Sequence, residues 1–115
     1  MEEIPILFKL GGMDKRAYEV KKQIRKKWEP GNKDVLGGYC EWKESPHGFN
    51  VWVNSRQTNR EIVESYFHEM THALIQVLID RKIIKRHRCD TEETLCRAVG
   101  YLSAQQVDDA ILRHQ

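Results

Sequence analysis

Apolar positions recur along this chain in two distinct periods, and the switches between them mark out six elements. Ile4, Ile6, Phe8 and Leu10 alternate with Pro5, Leu7 and Lys9, the two-residue period of a strand, closed by Gly11-Gly12. From Asp14, a plausible cap, the period lengthens. Ala17, Val20, Ile24 and Trp28 share one side of a helix running to about Trp28, and Pro30-Gly31-Asn32 ends it. Two alternating runs follow, Leu36 to Lys43 and Phe49 to Asn54, and the turn residues Ser45-Pro46-His47-Gly48 between them predict a hairpin. In its second arm Phe49, Val51 and Val53 share one face, while Asn50, Trp52 and Asn54 share the other. Helical spacing returns from Asn59 to Asp80, with Ile62, Tyr66 or Phe67, Met70, Ala73 or Leu74, and Val77 on the buried side and Ser55 or Thr58 as cap. A basic connector, Arg81 to Arg88, leads to a last helix from about Thr91 to Arg113, capped by Asp90 or Thr91 and striped with Leu95, Val99 and Leu102. The order β-α-β-β-α-α predicts an α+β fold, a small sheet with a hairpin packed on its helices.

Length and composition narrow the classes. At 115 residues the chain is expected to form one domain, 1–115, with a modest core. The apolar run Ala73-Leu74-Ile75, broken by Gln76 before Val77-Leu78-Ile79, is too short to cross a membrane. The acidic start Met1-Glu2-Glu3-Ile4 lacks the features of a signal peptide, and Cys40, Cys89 and Cys96 are too few and too odd in number for a disulfide framework. A cytoplasmic protein with reduced thiols is expected. Lys15, Arg16, Lys21, Lys22, Arg25, Lys26 and Lys27 make helix 14–28 basic, yet the net charge is only +2. Nucleic-acid contact through that helix is therefore expected, if at all, at phosphates and without sequence reading.

The chemistry is concentrated in His68-Glu69-Met70-Thr71-His72, an H-E-x-x-H. Residues four apart on a helix lie on one face, so His68 and His72 can present two imidazole nitrogens to one ion. Glu69, beside the first histidine, can reach a water on that ion without being a ligand. At these positions the chain resembles the zincin metallopeptidases. A catalytic zinc usually takes three protein ligands and leaves a fourth position for water. Metzincins continue with a glycine and a histidine where this chain has Ile75 and Leu78, so that class is excluded. Gluzincins supply a glutamate from a downstream helix, and here Glu92 and Glu93 open the last helix. Glu93 is favoured because its side of the wheel carries Gly100 and Ala104, small residues that allow close approach to the motif helix. Glu92 lies nearer the leucine stripe and stays open as an alternative, and both carboxylates suit a helix N-terminus. His87, as in SprT-like proteases, and the thiols of Cys89 and Cys96 are the rival ligands. Larger gluzincins often place an aspartate four residues after the glutamate to orient the first histidine. This chain has Cys96 and Arg97 there, which puts the support of the ligands in question.

The stretch Glu93 to Leu102, ending Gly100-Tyr101-Leu102, is similar to small phage-type metallopeptidases, and the whole resembles small gluzincins and the ImmA/IrrE-like peptidases of phages and mobile elements. The resemblance implies a minimal zincin-like domain that hydrolyses a peptide bond, by analogy in a regulatory protein. Zn2+ would be held by His68, His72 and Glu93, with Glu69 as general base and Tyr101 as candidate for steadying the oxyanion. It also implies that Phe49 to Asn54 is the edge strand that pairs with an extended substrate. The alternative of another class is a non-catalytic protein- or nucleic-acid-binding module that keeps a structural metal site.

Overall fold

The computed structural model describes residues 5–27, 36–44, 47–86 and 89–113. Among them the fold is α+β: β1 (Ile6–Gly11), α1 (Lys15–Lys27), β2 (Gly38–Glu44), β3 (His47–Asn54), α2 (Asn59–Asp80) and α3 (Cys89–Arg113). The expected ends of α1 at Trp28 and Pro30-Gly31-Asn32, the hairpin residues Ser45-Pro46, and His87 lie outside the described residues. No helix among the described residues is long and apolar enough to cross a membrane.

The three strands lie in the order β1-β3-β2. This corrects one expectation: Phe49 to Asn54 is the centre of the sheet and not its edge. β1 pairs parallel to β3 on one side (Phe8 opposite Val51) and β2 pairs antiparallel on the other (Cys40 opposite Val51). The hairpin alone would leave β3 a free side, but β1 occupies it, so β3's main-chain groups are spent within the sheet. β1 and β2 are the two edges of the sheet, and both meet the motif helix, β1 through Phe8 against Tyr66 and β2 through Gly38 against Glu69. Both faces of β3 are also covered, with Phe49, Val51, Trp52, Val53 and Asn54 all buried. Each fully buried side chain of the size of Val or Phe stabilises the fold by about 1.5–3 kcal/mol.

Local signals fix the helices. The Asp14 carboxylate accepts the Ala17 N–H at 2.8 Å and starts α1, and Ala17 is fully buried. Arg16 is drawn across to Glu41 on β2 at 2.7 Å and to Glu19 at 3.1 Å, so part of the basic charge of α1 is compensated within the fold. Thr58 caps α2 with Glu61 in a reciprocal capping box. α2 lies over the sheet face that carries Phe49, and Phe49 forms a core with Ala73 and Val77. Phe8 of β1 meets Tyr66 edge-on at 5.1 Å between ring centres.

α3 starts at Cys89, so Asp90 and Thr91 are inside its first turn and neither is the cap expected from sequence. Its buried face is the small-residue side expected to approach the motif helix, and not the leucine stripe. Leu95 and Leu102 are 49% and 58% exposed, whereas Cys96, Gly100 and Ala104 are buried. The cause is close helix packing: a Cβ at Gly100 would stand 2.6 Å from the Glu64 carbonyl oxygen. Small residues let two backbones approach where leucines would hold them apart, so the small stripe wins the interface.

Candidate metal centre

α2 and α3 run antiparallel along this contact. Arg60 pairs with Asp108 at the start of α2, Gly100 meets Glu64, and His68 and His72 reach the first turn of α3. That crossing brings His68, His72 and Glu93 together, with one donor atom from each lying within 4.8 Å of the others. Glu93 bridges the motif: its Oε1 is 3.1 Å from His68 Nε2 and its Oε2 is 3.1 Å from His72 Nε2. The donor set fits a metal. Zinc–ligand bonds of about 2.0–2.1 Å in a tetrahedron place neighbouring donors about 3.3 Å apart, and the Glu93 carboxylate stands at about that distance from each imidazole. This group of two imidazoles and a carboxylate can hold a metal ion.

Glu69 stands beside the group rather than in it. Its Oε1 is 3.7 Å from His68 Nε2, and the residue is 7% exposed. It lies under the first residue of β2, where a Cβ on Gly38 would be 3.3 Å from Glu69 Cγ and 2.8 Å from the Trp52 carbonyl oxygen. Burial penalises the charged carboxylate and outweighs the attraction of His68 and His72, raising its pKa to about 7. Burial alone would lower His72, but Cys96 and Glu93 against the ring, with Glu69 nearby, raise it to about 11. The hydrogen bonds from His68 and His72 hold Glu93 well below the usual carboxylate range. Without a metal, protons hold the cluster together.

The remaining sequence candidates fall in different places. Glu92 is at the site but on the far side of His72, 2.8 Å from Nδ1. Cys96 is fully buried and its Sγ is not among the three converging donors. The Cys40 thiol on β2 is pushed up to about 12, first by burial and then by Glu69 and other neighbouring acids, which keeps it protonated. The side chain of Cys89 lies outside what is described, as does His87.

Tyr101 is not brought to the group. It is 54% exposed and its ring lies 5.8 Å from the Arg60 guanidinium, at the start of α2. In an antiparallel helix pair every turn gained along α3 is a turn lost along α2, so residue 101 is about 12 Å from residue 93. The side chain of α3 that does reach Glu93 is Arg97, whose Nε lies 3.3 Å from Oε1. In the sequence Arg97 is a departure from the gluzincin pattern, and its spacing of four residues from Glu93 is the signal of this ion pair.

Compared with protein-family models, with curated proteins and with solved structures, the chain gives no significant match. A functional reading therefore has to stand on the geometry of the site.

Proposed function

We propose that this chain is a zinc-dependent metallopeptidase, with His68, His72 and Glu93 as ligands and Glu69 as general base. The observation that carries the reading is the bridging of both motif histidines by Glu93 while a fourth, buried acid stays out of the donor set. Two imidazoles and one carboxylate leave room for a fourth, exchangeable position, which a closed structural site would fill. A zinc ion held there would supply Lewis acidity, bringing a water's pKa to near neutral and polarising a scissile carbonyl.

The chain's own groups supply the rest. Glu69, buried beside the donor set with its Oε1 3.7 Å from His68 Nε2, is the acid placed for proton transfer: it accepts the proton of the attacking water and delivers it to the leaving nitrogen. Arg97, paired with Glu93, is the cation of α3 available to the developing oxyanion, in place of Tyr101. The edge strand β2, whose Gly38 lies against Glu69, offers main-chain groups to an extended peptide. Free thiols at Cys40 and Cys96 support a reducing, cytoplasmic setting.

The test joins metal content to turnover. Zinc per chain is measured by mass spectrometry, and hydrolysis is measured on a fluorogenic peptide library, for the parent, Glu69→Gln and His68→Ala. One zinc in the parent and in Glu69→Gln, none in His68→Ala, and hydrolysis only in the parent are expected. Full activity in Glu69→Gln would remove the general base. Zinc without any hydrolysis would favour a binding module that keeps the metal structurally.

A further inference from the structure

We infer that Glu92 is a positioning residue of this centre: its carboxylate holds the Nδ1–H of His72 from behind, so that Nε2 is the nitrogen turned toward the ion. The inference rests on the metal-centre reading above but concerns a residue which that reading leaves without a part.

Consecutive glutamates divide the two nitrogens of one ring. Glu92 Oε2 is 2.8 Å from His72 Nδ1, and Glu93 Oε2 is 3.1 Å from His72 Nε2. Successive residues on a helix diverge by about 100°, so the two carboxylates cannot point the same way. They straddle the imidazole instead, one at its front edge and one at its back. Only neutral imidazole ligates a metal, and it carries a single N–H. A carboxylate at Nδ1 keeps that proton there and leaves the Nε2 lone pair facing the other two donors.

The same geometry decides between the two acids. Glu92 meets His72 at the nitrogen that faces away from His68 and Glu93, so it is not the third ligand. The first turn of α3 gives its charge a favourable place near the helix N-terminus. His68 receives no such aspartate from the position four residues after Glu93, because that position is Arg97. Here the carboxylate support comes from the residue before the ligand and serves the second histidine.

The experiment compares the full chain with Glu92→Ala and Glu92→Gln. Zinc affinity is measured by competition with a chromophoric chelator. The ring nitrogens of His72 are followed by NMR in the zinc-loaded protein, and zinc-free melting curves show whether each variant folds. The alanine variant is expected to bind zinc about 10–100-fold more weakly at unchanged fold. Glutamine, whose amide oxygen accepts the same N–H, should restore the greater part of that loss. A slowly exchanging His72 Nδ1–H should appear in the parent and in Glu92→Gln and be absent from Glu92→Ala. Parent-like affinity in Glu92→Ala would overturn the inference, as would a glutamine variant as weak as the alanine one, which would make Glu92 a ligand through its charge. A parent that takes up no zinc fails the metal-centre reading itself and takes this inference with it.

Discussion

Glu69 shows how a single residue can be costly to the fold and suited to chemistry. An ionisable acid that is 7% exposed resists charging, and its pKa stands at about 7 against an ordinary 4.5. A carboxyl whose pKa is raised in the folded state binds its proton more tightly there than in the unfolded chain. The fold therefore loses stability as pH climbs from about 4.5 to about 7, by roughly 1–3 kcal/mol in the metal-free protein. Glutamine has the same shape and no such titration. Metal-free Glu69→Gln is expected to melt higher than the metal-free parent at pH 8 and close to it at pH 5. Urea melts at the two pH values check this, and a Glu69→Gln protein less stable than the parent at pH 8 would contradict the burial argument. Sites of this kind commonly trade stability for function.

At the scale of elements, the contact between α2 and α3 is where the site is made, and Gly100 sets its spacing. A side chain there would push against the Glu64 backbone, at 2.6 Å for the first carbon alone. Gly100→Val should lower stability by about 1–3 kcal/mol in a denaturant melt. It should also weaken zinc binding, because parting the helices draws Glu93 away from His68 and His72. Unchanged zinc affinity in a destabilised Gly100→Val would show that the first turn of α3 is placed independently of this crossing. Much of this arrangement is legible in the residues. Thr58 with Glu61, the alternating runs and the four-residue histidine spacing are local signals, and the six elements follow from them. Gly100 and Ala104 on the side of Glu93 already point to a close helix pair. The rest is tertiary. Nothing between Phe49 and Asn54 says that β1 takes their free side, so from the sequence β3 reads as an edge strand when it is the centre. Which nitrogen of His72 faces Glu92 depends on a crossing between distant segments, and no spacing in the sequence encodes it.

For the molecule as a whole, the centre acts as a clasp between α2 and α3, and its strength should depend on pH in opposite senses with and without metal. In the metal-free chain Glu93, held low by the hydrogen bonds from His68 and His72, contributes stability that is present above about 4.5 and lost as pH falls. His72, raised to about 11, contributes stability that is fully present below about 6.5 and declines as pH rises. Glu69 adds its own loss between about 4.5 and about 7. Together they put the maximum stability of the metal-free protein near pH 5, with a steady fall toward pH 9. Zinc held by the proposed ligands would reverse the trend, because it needs a neutral His72 and competes with the proton that the raised pKa retains. Raising the pH removes that competitor, so zinc at a fixed free concentration occupies more of the protein. At a hundred times its dissociation constant a ligand adds about 2.7 kcal/mol to the folded state. Melting temperatures recorded with and without zinc should therefore lie close together at pH 5 and separate progressively to pH 9, with His68→Ala showing no separation at any pH. A zinc-induced shift of constant size across that range would mean that the ion binds elsewhere, away from the groups whose protons it has to displace.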